Sequence, residues 1–496
     1  MQGHKTYQEK LFTTFRLSDR VPKSNFYRRL SNCLNLNFLY RETEKYYGKE
    51  GNPGIDPVVF FKLLLTGYFQ NLQSDRSIIE NARLRLDILF FIGYDIDEEL
   101  PWHSTLSRTR QLYGEEVFQS LFKEVLEQCI AKGMVSGRRQ AIDSVMIKAN
   151  ASMESIQRRE ILDDGIQYIS DLEWDKPNQK IGGAKTKDKL KYNEVCFSPS
   201  DPDARVSVKP GKPRQFNYLG QLSVDTAHHV ITGIEAHHAD KRDSECFGGI
   251  LGQAIENLKD NGLIVKEALA DTNYSSVDAL KAARDNNVDA YIPNIGNYKT
   301  DRDGFTYYPV GDFYMCSQGK ELTFRSLRNS RGKNQMKDYR SYTKDCKDCP
   351  IKNKCIGKKG YKTISHSSEK LLYDEMNEKI HSNYGIKMRR LRQSTVEPVI
   401  GTLINFLSAK KIRTIGIKQA NKHLIGAAIA YNIKKWMKWQ NKNPKIVAIA
   451  MPIPEKHRII PLFSTIFQQI RAKATDFLLK MKRLLIYHLT FKIKTI

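Results

Sequence analysis

The sequence predicts an α/β protein, with a sheet of mixed direction behind an all-α leading module. Three observations carry this. From about residue 139 to residue 292 the apolar pattern runs strand, strand, strand, helix, strand, helix, strand. Ahead of it, from about residue 54, short apolar helices alternate with polar turns. Within the strand pattern stand isolated carboxylates in apolar surroundings, a costly placement unless the charge is paired, faces water or holds a metal.

Composition narrows the classes. With 496 residues and 40% apolar content the chain can bury a large core, enough for roughly two to four domains. Its 80 Lys+Arg against 55 Asp+Glu leave a charge of +25, which asks for a polyanionic partner, nucleic acid above all. The excess is spread along the chain rather than gathered in one amphipathic helix, against a membrane surface. No apolar run reaches about 18 residues, and Met1-Gln2-Gly3-His4-Lys5 lacks a secretory core. Eight cysteines, several in metal-like spacing, fit a reducing cytosol.

Residues 1–50 are polar with scattered aromatics, a helical lead-in to a module ending near 135. Asp56 caps a helix with Pro57 in its first turn and Val58, Phe60, Phe61, Leu63, Leu64 and Leu65 following. Ser74 starts a second helix, Ile78 to Leu86, and a turn at Pro101-Trp102-His103-Ser104 leads to Arg108, Arg110 and a long helix from Glu115 to Lys132. Short helices around polar turns resemble a helix-turn-helix DNA-binding module, with Arg108 and Arg110 beside the turn as DNA contacts; a plain helical bundle reads the same way.

The first strand, around Ala141-Ile142-Asp143-Ser144-Val145, opens a core spanning 136–300. Residues 153–217 read as a long basic connection with Lys180-Ile181-Gly182-Gly183 and Asp201-Pro202-Asp203-Ala204-Arg205. Strands Tyr218 to Asp225 and Val230 to Ala236 turn at His228-His229, and a helix runs from Ser244 to Leu258. The stretch Ile264 to Ser276 is strand, turn and helix start, with Asp271 at the carboxyl end of the strand, where α/β sheets place ligand-binding groups. Val288 to Ile292 is the last strand. A basic insertion, 301–365, follows, with 14 Lys+Arg against 4 Asp+Glu between Cys316 and Lys362. Residues 366–445 return to helix (Ser367 to Leu391, then Lys418 to Trp439) and carry Glu397; the tail 446–496 is basic. Because Pro398 suits only a first helical turn, the Glu397 helix is expected to start near Ser394 or Thr395.

Asp143, Asp271 and Glu397 form a set that phosphodiester chemistry can use. Two Mg²⁺ ions about 3.5–4 Å apart can activate the attacking oxygen and stabilise the leaving one, and Mg²⁺ needs only two or three carboxylates because it keeps waters. Each residue has a plainer reading: a water-facing edge Asp143, a helix-capping Asp271, a first-turn Glu397 favoured by the helix dipole. Asp225 is a rival, either joining the site or capping a turn, with the turn favoured. Cys316 with Cys346-x2-Cys349-x5-Cys355 offers four thiolates for a tetrahedral Zn²⁺, or four unligated thiols. Cys33, Cys129, Cys196 and Cys246 read as small buried apolar groups. His228-His229 and His237-His238 read as surface or turn residues.

On Ala141-Ile142-Asp143-Ser144 with Lys148-Ala149-Asn150-Ala151, Ala270-Asp271-Thr272-Asn273-Tyr274-Ser275, and Thr395-Val396-Glu397-Pro398-Val399-Ile400-Gly401, the chain resembles a bacterial insertion-sequence transposase of the DDE type. The resemblance covers most of 50–440 and implies an RNase H-like mixed sheet with helices on both faces. It implies that Asp143, Asp271 and Glu397 hold two Mg²⁺ or Mn²⁺ ions and that Arg390 and Arg392 contact phosphate. In many relatives a Tyr and an Arg precede the Glu at fixed offsets and a Lys follows; here those offsets hold Arg390, Gln393 and Ile404. The implied partners are double-stranded DNA, as terminal inverted repeats and target, and a second copy of the chain in a homodimer or larger synaptic assembly. The implied place is the bacterial cytoplasm, at the nucleoid. A catalytically silent, transposon-derived DNA-binding protein and a metal-dependent nuclease without strand transfer are the alternatives.

Overall fold

The computed structural model describes residues 5, 14–48, 50–51, 54–158, 192–208, 213–302, 304–329 and 335–442. Chain packing divides the molecule into 1–438 and 439–496; the account below concerns the first unit. The Gly-rich part of the connection (Lys180 to Lys187) and the basic tail lie outside the described residues.

The leading module is built as the caps dictate. Asp56 accepts from the Val58 and Val59 backbone N–H groups at 2.7 and 3.1 Å and starts Pro57–Phe69. Ser74 and Ser77 form a capping box on Asp75–Arg83. The second helix, expected to reach Leu86, stops at Arg83, and a further helix not read from the sequence, Leu86–Ile92, ends at Gly93, whose φ of +88° suits glycine. His103–Leu112 and Glu115–Ala131 complete the module. Pro57–Phe69 is apolar nearly all round, the mark of a helix buried on every side. The long Ile417–Lys442 helix covers one of those sides. At Gly426 the two helices touch, and a Cβ there would sit 2.6 Å from the Tyr68 ring. The same helix reaches the sheet, where Asn432 exchanges two 2.9 Å hydrogen bonds with the Ile231 backbone. Module and sheet therefore share one interior.

The main sheet has six strands: β1 (Arg139–Lys148), β4 (Arg205–Ser207), β5 (Gln215–Asp225), β6 (Ile231–His238), β7 (Glu267–Leu269) and β8 (Asp289–Tyr291). β5 is antiparallel to β1, β4 and β6, while β7 runs parallel to both β1 and β8. The mixed direction read from the sequence is present. Register and glycines define the faces. Gly233 lies against Ile250 and Gln253 of the Asp243–Lys259 helix, and its partner Ser223 shares that face with Gln221 and Ser144. Gly220 lies against Leu424 of Ile417–Lys442, on the face that Val145 and Asp143 share. Helices cover both faces.

Three expectations are corrected. The connection 153–217 is not wholly irregular: β2 (Gln157–Arg158) pairs with β3 (Cys196–Phe197), and β4 joins the main sheet. The basic segment, read only as an insertion, forms an antiparallel sheet of its own, β9 (Phe305–Tyr308), β10 (Phe313–Cys316), β11 (Glu321–Asn329), β12 (Gln335–Ser341) and β13 (Thr363–Ser367). Its small core is Phe305, Tyr314, Leu322, Tyr339 and Ile364. Finally, the Glu397 helix begins at Asn383, capped by Ser382, and carries Pro398 in its interior. An interior proline costs about 3 kcal/mol. Burial of Met388, Thr395, Val396, Val399 and Leu403 on one stripe offsets that cost, while Pro398 itself faces outward.

Candidate active site

β1 and β7 bring the first two carboxylates level. Ala141 pairs with Leu269 in the parallel ladder, so Asp143 and Asp271, each two residues further on, emerge from the same face of neighbouring chains. Adjacent strands lie about 4.8 Å apart. Asp143 accepts from its neighbour's Ser144 N–H at 2.8 Å and from Arg392 Nη1 at 2.9 Å. Burial pushes the Asp143 carboxyl above its ordinary range; Arg392 opposes this and the Asp271 charge adds to it. Asp271 is also raised, by burial first, against the Asn273 N–H and Arg392, with Asp243 adding. Its side chain caps the single turn Thr272–Tyr274, and Ser276, not Asp271, caps the helix Val277–Asp285. Capping leaves it free to face Asp143 as well.

Glu397 stands elsewhere on its helix. Arg392 is half-buried at the edge of the buried stripe, whereas Glu397, five residues on and so roughly 140° around the axis, is exposed and makes no hydrogen bond or ion pair among the described residues. Among the described residues no three His, Cys, Asp or Glu side chains close into a group that could hold a metal ion. Two of the three expected carboxylates are together, and the Arg392 guanidinium sits on the first of them.

The remaining nominated residues separate. Arg390 is exposed, on the outward side with Glu397. Arg108 is exposed and rests on Ser104 Oγ at 3.3 Å. Arg110 is buried, its fork on both Asp75 oxygens at 2.8 and 2.5 Å, which leaves no face for phosphate. Asp225 is fully buried and takes donors from Ser136, Gly137, Gln140 and Ala227, so it fastens turns. Cys316, Cys346, Cys349 and Cys355 line one cavity of about 290 Å³ beside β10 and β12. The Cys355 thiol is raised by burial, against Lys362, with the other three thiols adding. Burial lifts Cys129 and Cys246 to about 12, as befits small apolar groups. The histidine pairs are held locally: His229 sits in the β5–β6 turn at φ +57°, and His238 Nδ1 meets the Asp203 carbonyl at 2.8 Å.

Sequence reasoning passed over three residues at this site: Gln221, Asp243 and Tyr274. The hydroxyl of Tyr274 donates to Gln221 Oε1, and Gln221 Nε2 donates to Asp243 Oδ1 at 3.0 Å. The available signal was Gln221 itself, a neutral polar residue inside the run Tyr218 to Asp225, fully buried in the fold.

Two family models match the chain. One, described as a transposase domain (DUF772), matches residues 15–112; the other, described as a transposase DDE domain, matches 315–437. The second contains Arg390, Arg392 and Glu397, while Asp143 and Asp271 fall between the two. No curated protein matches the chain. Among solved structures it is similar to piggyBac transposase in a synaptic complex with hairpin DNA, at 9% identity over 85% of this chain and 79% of that one, TM-score 0.27. It is also similar to Mos1 transposase in a paired-end complex with the left transposon end, at 10% identity over 53% and 70%, TM-score 0.16. Superpositions this distant add nothing to the family matches. Those two domains, in this order on one chain, place it among the DDE-type transposases of insertion sequences.

Proposed function

We propose that the chain binds the ends of its own insertion sequence and cuts and rejoins DNA with divalent metal, Mg²⁺ or Mn²⁺, held by Asp143 and Asp271. The observation that carries this is the register that sets both carboxylates on one face, both desolvated and both within reach of Arg392. Two crowded, half-buried carboxylates have the hard-oxygen chemistry such a cation needs. An RNase H-like core is supported by the order β6-β5-β1-β7-β8, antiparallel on one side of β1 and parallel on the other.

When bound, the metal supplies positive charge to the scissile phosphate and its leaving oxygen. The chain's own residues do the rest. The paired strands hold Asp143 and Asp271 rigidly, so little reorganisation is needed. Arg392, now paired with Asp143, is placed to pass to a phosphate oxygen when a cation takes its place. Glu397 completes the set if its helix turns on binding DNA, and the exposed Arg390 and Arg108 serve as phosphate contacts. Cleavage forms a bond from water to phosphorus and frees a 3′-hydroxyl. Joining forms a bond from that 3′-oxygen to a target phosphorus and expels the target's own 3′-oxygen, so no energy source is needed. Holding two ends together calls for a dimer or larger assembly, working at the nucleoid in the cytoplasm. Among the described residues no helix is long and apolar enough to cross a membrane.

The four-thiol cavity is read as a Zn²⁺ site that draws the sulfurs together on binding. Metal analysis of purified protein should give about one zinc per chain, lost in Cys349→Ser.

The test of the function is cleavage and joining of end-containing DNA in Mg²⁺ or Mn²⁺. Wild type should do both, and Asp143→Asn, Asp271→Asn and Glu397→Gln should bind DNA and do neither. Cleavage without joining would make the protein a nuclease; DNA binding with neither activity would make it a silent binder.

A further inference from the structure

The carboxylate pair lies on one face of the main sheet, and a second set of polar residues lies directly behind it. Ser144 and Gln221 are register partners on the opposite face, one position along from Asp143 and Leu222. Gln221 and the Tyr274 ring are fully buried. The Tyr274 hydroxyl donates to Gln221 Oε1, and Gln221 Nε2 donates to Asp243 Oδ1 at 3.0 Å. Asp243 opens the helix Asp243–Lys259, whose Phe247 meets the Tyr274 ring edge-on at 5.9 Å.

We propose that Asp243, Gln221 and Tyr274 form a positioning relay that fixes the Asp271 carboxylate against Asp143 from behind the sheet; this rests on the metal-site reading above. Tyr274 ends the single turn that Asp271 begins. Its N–H donates to the Asp271 carbonyl at 3.2 Å, while the Asp271 carboxylate is aimed by the Asn273 N–H at 2.9 Å. Shifting Tyr274 therefore shifts the frame from which Asp271 points. β7 is only three residues long and cannot hold that frame by itself.

The relay has one polarity. The phenol donates, so the amide must present its oxygen to Tyr274 and its NH₂ to Asp243, which as a carboxylate only accepts. Asp243 thus fixes the orientation of Gln221, and Gln221 that of Tyr274. A phenylalanine would fill the same space without a buried hydroxyl and a buried amide to satisfy, and without the half-buried Asp243 to hold that amide. Fully satisfied networks of this kind rigidify what they touch. Burial first, then the charges of Asp243, Asp143 and Asp271, hold the Tyr274 hydroxyl well above its ordinary pKa.

The experiment is Mn²⁺ titration of the full chain by electron paramagnetic resonance, with melting in chelator as the folding control and cleavage kinetics alongside. Tyr274→Phe, which keeps the ring, should fold and bind Mn²⁺ about tenfold more weakly, the usual effect of removing an outer support of a metal ligand. Its kcat should fall while KM for DNA holds. Asp243→Ala should weaken Mn²⁺ similarly, and Asp243→Asn, which restores an acceptor for Gln221, should bind several-fold more tightly than the alanine variant. Wild-type Mn²⁺ affinity in Tyr274→Phe or in Asp243→Ala would overturn the relay and leave the metal site standing. Equal loss in Asp243→Asn and Asp243→Ala would overturn it too, since the charge and not the hydrogen bond would then matter. If wild type takes no Mn²⁺, or Asp271→Asn takes it equally well, the metal-site reading fails and the relay with it. Should Tyr274→Phe not fold, the two Asp243 variants decide.

Discussion

Asp143, half-buried, and Asp225, fully buried, are aspartates on paired strands of one sheet, and their surroundings are opposite. Asp225 is ringed by donors from Ser136, Gly137, Gln140 and Ala227. Asp143 has one backbone N–H and one arginine, with a second carboxylate facing it. A buried acceptor with every lone pair taken holds a fold together; one with spare lone pairs, beside a like charge, is more costly to keep and has capacity left for a ligand.

The contrast is sharpest in stability. Asp225→Ala strips several buried donors of their acceptor and should cost about 3 kcal/mol, read as a lower urea midpoint at unchanged slope. Asp143→Asn removes a desolvated charge and should not destabilise by comparison. Equal losses would erase the distinction. Mn²⁺ comes next: at a hundredfold excess over its dissociation constant it should stabilise wild type by about 2.7 kcal/mol, seen as a higher melting temperature, and do nothing for Asp271→Asn. Arg392→Gln strips Asp143 of the one cation paired with it among the described residues and should cost about 1–2 kcal/mol in chelator, a loss that Mn²⁺ repairs. If Mn²⁺ does not repair it, Arg392 is not standing where a metal would.

The pH responses differ in sign. His366, between the Tyr314 and Tyr339 hydroxyls, and His423 are both lowered to about 4 by burial. Their contribution is present above the ordinary histidine pKa and is lost as pH falls from about 6.5 to about 4. Asp143 and Asp271 are raised, so theirs is present below the ordinary aspartate range and is lost as pH rises through their folded values. Chelator-treated protein should therefore lose stability below pH 6.5 more slowly than Asp143→Asn does, because only wild type gains from protonating the pair. The smallest effect belongs to Glu397→Gln: an exposed side chain with no partner among the described residues should leave stability within about 0.5 kcal/mol, even though cleavage stops.

The sequence reading singled out Asp143 and Asp271 as isolated carboxylates, one in a strand and one at a strand end; the parallel ladder that brings them level belongs to the fold and has no local signal. It named Arg392 only as a phosphate contact and not as the partner of Asp143, although a signal exists: Arg392 stands at helical spacing from the buried Met388, Thr395, Val396 and Val399, where an apolar residue is due. The Glu397 helix was misplaced because a rule about Pro398 was given more weight than the apolar spacing on either side of it. The second sheet escaped because β11 is exposed on both faces for most of its length, so it carries no alternation to read. Gln221, Asp243 and Tyr274 are ordinary in local context, and only the folding of the Asp243–Lys259 helix onto the sheet makes them one network.

The most direct measurement of the central claim is local. Fe²⁺ substituted for Mg²⁺, with ascorbate and peroxide, cuts the polypeptide beside the bound ion, and the cut sites can be mapped by mass spectrometry. Cuts close to Asp143 and Asp271, joined by cuts near Glu397 once end-containing DNA is present, are the predicted result. Cuts confined to the Cys316–Cys355 cavity, or the same pattern in Asp143→Asn and Asp271→Asn, would contradict it.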